Sequence, residues 1–330
     1  AGADAMNGGA GVDAASYADA GAGVFARLDS GVVAGAAAGD SFVSIESLIG
    51  SAFVDTLVGD AVANRLEGGD GDDRLFGVAG DDTLDGGAGA DAMNGGAGVD
   101  AASYADAGAG VFARLDSGVV AGAAAGDSFV SIESLIGSAF VDTLVGDAVA
   151  NRLEGGDGDD RLFGVAGDDT LDGGAGADAM NGGAGVDAAS YADAGAGVFA
   201  RLDTGVVAGA AAGDSFVSIE GLIGSRFADT LIGDAAANTL VGGAGVDTLY
   251  GLGGADRFQF AGPGFGADIV QDFEDGVDIL DFSQHAGVSG LGDLALSQAG
   301  ANVRIGVGSD AVFLIGEDLA DVSAADFDFG

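Results

Sequence analysis

The stretch GGDGDDRLF–GVAGDDTLD–GGAGADAMN–GGAGVDAAS, residues 68–103, decides how this chain folds. Cut every nine residues, it puts Asp73, Asp82, Asp91 and Asp100 at the sixth place and Leu75, Leu84, Met93 and Ala102 at the eighth. A period of nine fits neither the 3.6 of a helix nor the alternation of a long strand. It fits a coil that turns through its glycine-rich half and then lays down a three-residue strand with one side chain pointing inward. Glycine is needed where the backbone takes positive φ or passes close to an ion. Two nonapeptides then make one flattened turn of a solenoid, with parallel strands stacked about 4.8 Å apart.

Outward from this stretch the phase runs back to residue 41, through SFVSIESLI, GSAFVDTLV and GDAVANRLE, with Leu48, Leu57 and Leu66 in the apolar column. A longer period encloses the short one. Residues 1–87 recur unchanged at 88–174, and a third copy from 175 carries Thr204 for Ser117, Gly221 for Ser134 and Arg226 for Ala139. Internal repeats of this kind mark a solenoid. The organisation expected is three repeat units, 1–87 (entered in mid-repeat, as the end of a longer array), 88–174 and 175–259, and a C-terminal segment, 260–330. In each unit 24 residues, YADAGAGVFARLDSGVVAGAAAGD at 104–127, break the phase. There GVFARLD reads as a longer strand and SGVVAG as another after a turn. Their apolar residues need cover, so wider coils stacked on the solenoid are expected, with a flexible linker as the alternative.

Composition narrows the partners. Of 330 residues 66 are glycine and one is proline; 53 acids face 10 bases, all arginine, for a net charge of −43. Such a chain repels nucleic acid and anionic lipid and attracts cations. Acids scattered for solubility alone would not fall into columns. Cysteine is absent, so disulfides and thiolate zinc sites are excluded. No apolar run approaches the 18 or so residues that span a bilayer, and no N-terminal signal-peptide pattern is present. The glycines lead to acids rather than to a helix or a GK[ST] signature, against a phosphate loop. A glycine-rich elastic filler leaves both columns unexplained.

GGDGDDRLF (68–76), GGAGADAMN (86–94), GGAGVDAAS (95–103) and GGAGVDTLY (242–250) resemble the RTX, or haemolysin-type, calcium-binding nonapeptides, whose consensus is GGxGxDxUx. The resemblance implies an all-β fold: a parallel β-roll or β-helix solenoid of Gly/Asp-rich coils with a β-rich C-terminal cap. It also implies several Ca²⁺ ions. Ca²⁺ wants six to eight oxygens at roughly 2.3–2.6 Å, which turn carbonyls and the sixth-place carboxylates supply. The metal residues expected are Asp4, Asp13, Asp55, Asp73, Asp82, Asp91, Asp100, Asp142, Asp160, Asp169, Asp178, Asp187, Asp229, Asp247, Asp256 and Asp268, with Gly68, Gly86, Gly95, Gly155, Gly173, Gly182 and Gly242 opening the turns. In that family each ion lies between turns stacked on one edge. This implies pairing Asp73 with Asp91, Asp82 with Asp100, Asp160 with Asp178, and Asp169 with Asp187. Asp247 joins Asp268 if PGFGADIVQ (263–271) is a nonapeptide displaced by three. Residues 41–67 lack GGxG and place Glu46 and the neutral Asn64 in the ligand column, so calcium is expected to be weak or absent there, with packing taking over.

From about 260 the period ends and aromatics gather in RFQF, DFEDGVDILDFS (272–283) and the terminal Phe327, Asp328, Phe329. This resembles the segment that closes the calcium roll in serralysin-type proteases, a family exported from Gram-negative cells by type I secretion through an uncleaved C-terminal signal. The tail here departs from that family in ending with Gly330. A plain cap over the last coil accounts for the aromatics as well.

Nothing in the sequence reads as catalytic. His285, the single histidine, reads as a loop residue, and neither HExxH nor a Ser-His-Asp set can be built. The carboxylate pairs that suggest a glycosidase lie on the calcium period. The expectation is a non-enzymatic, calcium-folded structural or spacer array of a secreted or cell-surface protein of a Gram-negative bacterium, of biofilm-adhesin or surface-layer type. Its partners would be calcium, the type I secretion machinery, and a cell surface or other arrays. The alternative is the C-terminal secretion module of an extracellular metalloprotease or polysaccharide-modifying enzyme.

Overall fold

One side chain in nine points inward, and that rule builds the fold. The computed structural model describes residues 2–330, which form two compact units, one ending at Ala166 and the other Gly167–Gly330. The described residues contain no α-helix; apart from two 3₁₀ turns, Leu291–Asp293 and Ala324–Asp326, the regular elements are strands. No helix among them is long and apolar enough to cross a membrane.

In the first unit one face is a parallel sheet with neighbours in the order Ala14–Ser16, Ser47–Ile49, Arg65–Asp70, Thr83–Ala88, Ala101–Ser103, Ser134–Ile136 and Arg152–Glu154. The other face carries the alternate strands, Thr56–Val58, Arg74–Ala79 and Ala92–Ala97, also parallel. Leu48 lies over Leu66 and Leu66 over Leu84 on one face; Leu57 lies over Leu75 and Leu75 over Met93 on the other. The register is therefore two nonapeptides per turn. Leu48, Leu57, Leu66, Leu75, Leu84, Met93 and Ala102 are all fully buried. Leu48, Leu57 and Ala102 lie in three-residue strands as expected, whereas the strands of Leu66, Leu75, Leu84 and Met93 run on to six residues through the following glycines. In both kinds the next apolar place inward is nine residues on, because immediate neighbours in a strand point to opposite faces.

The 24-residue inserts belong to the solenoid. Val111–Arg114 stacks parallel on Thr143–Val145, as a coil strand does, and its Val111 and Ala113 are buried. Val120–Gly122, however, folds back antiparallel on Val111–Arg114, so the second half of the insert is a hairpin return and not a second coil. The reversal turns at Gly118, whose φ of 62° is the left-handed conformation that glycine tolerates and whose N–H donates to the Arg114 carbonyl. Val24–Arg27 and Val33–Gly35 repeat the arrangement.

The second unit keeps the two faces and then closes them. One face orders Thr170–Asp172, Ala188–Ser190, Gly221–Ile223, Thr239–Val241, Arg257–Gln259, Ile279–Asp281 and Phe327–Asp328, all parallel. On the other, Thr230–Ile232 and Thr248–Tyr250 are followed by Ala267–Val270 and Asp310–Leu314, and then by an antiparallel meander through Asn302–Val307 and Ala295–Ala299. Solenoid stacking thus runs beyond residue 260, where the nine-residue period stops, through coils of irregular length. Phe260, Phe265, Phe282, Phe327 and Phe329 form one aromatic cluster, with ring centroids 5.2 Å apart for Phe260–Phe265 and 5.7 Å for Phe327–Phe329. His285 lies in a loop, its N–H donating to the Phe282 carbonyl, yet it is only 8% exposed and packs edge-on against Phe265 and Phe282.

Candidate metal sites

Each nonapeptide turn folds the carboxylate of its aspartate back over its first glycine. A Cβ built on Gly68 would stand 2.6 Å from the Gly86 carbonyl oxygen and closer still to Asp73 Oδ2. On Gly242 it would meet Asp247 Oδ2 at 2.6 Å, and on Gly86 Asp91 Oδ2 at 2.5 Å. Gly95 is backed in the same way by Asp100, Gly173 by Asp178, and Gly182 by Asp187. The Gly155 carbonyl fills the space that a Gly137 Cβ would need. The glycines thus open a cradle lined by a carboxylate oxygen and the carbonyl oxygen of the next turn.

Stacked turns are tied by a row of hydrogen bonds along each edge. The Asp55 N–H donates to Asp73 Oδ1 at 2.7 Å, Asp73 N–H to Asp91 Oδ1 at 2.8 Å, and Asp91 N–H to Asp127 Oδ1 at 2.9 Å. On the opposite edge Asn64 N–H donates to Asp82, Asp82 N–H to Asp100, and Asp100 N–H to Glu133 Oε2. In the second unit the rows join Asp169 to Asp187, Asp178 to Asp214, Asp229 to Asp247, Asp247 to Asp268 at 3.0 Å, and Asp256 to Asp278. Asp142 N–H donates to Asp160 in the first unit. Asp73 and Asp91, Asp82 and Asp100, and Asp169 and Asp187 are accordingly neighbours in their rows. The contact from Asp247 to Asp268 makes residues 263–271 a displaced coil.

In six of the buried rungs one oxygen faces the backbone and the other is left bare. Asp73, Asp82, Asp91, Asp100, Asp187 and Asp247 are 0–1% exposed, yet their Oδ2 atoms have no hydrogen-bond partner. The half-buried Asp13 has the same bare oxygen. A buried anionic oxygen without a donor is costly. Burial pushes the carboxyls of Asp73 and Asp82 up to about 6 and those of Asp91 and Asp247 up to about 7, although a backbone N–H pulls each back. Like-charged neighbours add to the rise. Asp256 and Asp268, raised chiefly by burial to about 6 and about 8, continue the pattern. Such a row requires protons or cations.

The cradles fit calcium by this test: hard oxygen donors, a bare buried carboxylate oxygen and a carbonyl facing the same space. Among the described residues no three acidic or histidine side chains converge on one point. Side chains alone therefore cannot fill six to eight positions, and the turn carbonyls must supply the balance.

Not every residue of the sixth-place column has this environment. Asp55 accepts the Val24 N–H on Oδ1 and the Ser51 N–H on Oδ2; Asp142 accepts Val111 and Ser138, and Asp229 accepts Val198 and Ser225, in the same way. Each of their two oxygens therefore has a protein donor and neither is bare. Asn64 is satisfied too, its Oδ1 accepting the Asp60 N–H at 2.7 Å and its Nδ2 donating to the Glu46 carbonyl. Asp4 is exposed, and its N–H donates to Asp40 Oδ1. Asp160, Asp169 and Asp178 are buried in the rows. Sequence reasoning missed Asp40, Asp127 and Asp214. Each stands 36 residues beyond the aspartate it joins, at the last place of a 24-residue insert, and each opens the triplet DSF.

Comparison with known families finds the same repeat. Residues 49–81, 67–101, 136–168, 154–188 and 223–258 match the family described as RTX calcium-binding nonapeptide repeat (4 copies). No curated protein matches the chain in sequence. Among solved structures, the extracellular lipase LipA from Serratia marcescens aligns at 20% identity, covering 83% of this chain and 39% of the lipase, with a TM-score of 0.27. The AlgE6R3 subunit of the Azotobacter vinelandii mannuronan C5-epimerase aligns at 25% identity over 58% of this chain and 79% of that subunit, with a TM-score of 0.18. The chain spans well under half the length of the lipase.

Proposed function

Since this chain carries RTX calcium-binding nonapeptide repeats, we propose that it is a structural array that folds on calcium outside the cell, serving as the spacer of a large secreted or surface-attached protein. The observation that carries this reading is the set of bare, buried carboxylate oxygens at Asp73, Asp82, Asp91, Asp100, Asp187 and Asp247, in a chain whose first two repeats are identical and whose third differs little. A spacer lengthens by duplication, and identical copies serve length better than they serve a unique active site.

Asp73, Asp82, Asp91, Asp100, Asp187 and Asp247 would hold the ions together with the turn carbonyls. Bound calcium supplies the positive charge that lets stacked carboxylates stay ionised in a buried row. The chain's own part is to aim them: each Oδ1 is fixed by the N–H of the preceding turn, which leaves Oδ2 directed at the cradle. Leucine columns alone give a thin core, one apolar side chain per nine ordered residues, so the metal-free chain is expected to be largely open. Export by a type I channel, which needs an unfolded chain, suits that state, and the C-terminal segment is the proposed export signal. Attachment to a surface or to other arrays is the proposed use of the folded form.

Circular dichroism of the chain in chelator and after calcium addition tests the reading. Above pH 7 strand signal should appear only with calcium, with a midpoint near the extracellular range of about 10⁻⁴ to 10⁻³ M. A chain already fully β in chelator would contradict it.

A further inference from the structure

The carboxylate rows are interrupted. On one edge of the solenoid they break at every 24-residue insert, and on both sides of the break a protein donor occupies the oxygen that stays bare within the nonapeptides. Asp127 accepts the Asp91 N–H on Oδ1, as any rung does, but its Oδ2 accepts the Tyr104 hydroxyl at 2.7 Å. Past the insert, Asp142 accepts Val111 N–H at 2.6 Å and Ser138 N–H at 2.5 Å. The other copies repeat both contacts: Tyr17 donates to Asp40 at 2.9 Å and Tyr191 to Asp214 at 2.7 Å, while Val24 and Val198 donate to Asp55 and Asp229. Tyr104 and Asp127 are 3% and 4% exposed, so no water competes for the contact from the open surface. Burial first, and the Asp127 carboxylate second, push the Tyr104 phenol far above its ordinary range, so it keeps the proton it donates.

Resting on the calcium reading above, we infer that Tyr17, Tyr104 and Tyr191 terminate the ion rows. Calcium is held in the nonapeptides and is absent from Asp40, Asp127 and Asp214, and from Asp55, Asp142 and Asp229 where the rows resume. A phenol O–H directed onto a carboxylate is a short, charge-assisted bond, and it lies where a cation would need that oxygen. These tyrosines are positioning residues: they fix how many ions each repeat takes. A further repeat then adds a row of the same length and extends none.

Counting bound calcium on the whole chain by equilibrium dialysis tests this. In Asp40→Asn/Asp127→Asn/Asp214→Asn the amide oxygen still accepts the backbone N–H, and the amide nitrogen donates to the tyrosine oxygen. The expected result is the parental number of ions, with a midpoint within about two-fold. Loss of one ion per insert, three per chain, would overturn the inference. If that variant fails to fold in saturating calcium, Tyr17→Phe/Tyr104→Phe/Tyr191→Phe decides the same point. An ion count equal to or above the parent's supports termination, and a lower count shows that the phenol oxygen is itself a ligand. A parent chain that binds no calcium would instead sink the underlying calcium reading, and is recognised as such before any variant is compared.

Discussion

Among single residues, Asp91 shows most directly what the missing charge does. Its carboxyl is raised to about 7 by burial, and that of Asp73 to about 6, whereas an unfolded aspartate titrates near 3.9. A carboxyl raised in the fold favours the folded state while protonated. That contribution is fully present below about pH 4 and is lost as pH rises through 6 to 7. In the absence of calcium, residual strand structure should therefore fall between pH 4 and 7. With calcium the requirement reverses, since an ion needs the ionised form, and the midpoint concentration should drop as pH rises from 5.5 to 8. Calcium titrations followed by circular dichroism across that range check both trends; a midpoint independent of pH would show that these carboxyls do not bind. Val78 offers a second test. It occupies the second glycine place of its nonapeptide with φ of 89°, where a β-branched residue is strained, and it is 41% exposed, so little packing is lost on removal. Val78→Gly should stabilise the calcium-bound chain by about 1 kcal/mol, read as a higher thermal midpoint in saturating calcium.

For a single turn of the solenoid, stability comes from the two strands stacked against it. Asp73→Ala/Asp91→Ala removes two bare oxygens and the two rungs in which the Asp55 and Asp73 N–H groups donate to these carboxylates. Hydrogen exchange should show lost protection in Arg74–Ala79 and Ala92–Ala97, with Val24–Arg27 and Val33–Gly35 little changed, because stacked coils couple mainly to neighbours. Loss spread evenly over the chain would contradict a one-dimensional solenoid. These strands and both columns were legible in the sequence, since Leu75 and Asp73 recur at a fixed spacing whatever the rest of the chain does. The pairing of both Asp55 oxygens was not. It depends on Val24, 31 residues earlier, and on the path of an insert whose hairpin return is fixed by Gly118 and its counterparts. Asp127 carried a readable signal, the DSF triplet 36 residues beyond Asp91, but the phase break hid it. His285 was legible as a loop residue and illegible as buried, because Phe265 and Phe282 reach it only once the chain has closed.

Across the chain, the C-terminal segment closes what the repeats leave open. Ile279–Asp281 and Ala267–Val270 cover Arg257–Gln259 and Thr248–Tyr250, and the aromatic cluster buries Phe260 and Phe282 completely or nearly so. A chain ending at Gln259 would expose both strand edges and the fully buried Phe258. It should need clearly more calcium to fold than the whole chain, or aggregate as calcium is added. Equal midpoints and equal solubility would reduce the segment to an export signal.

The stacking register also sets a length. Between Ser47–Ile49 and its copy Ser134–Ile136 the sheet advances by four strands, about 19 Å at roughly 4.8 Å per strand. The same 87 residues as a flexible coil would span about 50 Å on average, and mutual repulsion of their acids would stretch them further. Withdrawing calcium should therefore lengthen each repeat by more than two-fold rather than collapse it. An array of this design is a tether whose reach shortens where calcium is plentiful, drawing whatever it carries toward its point of attachment.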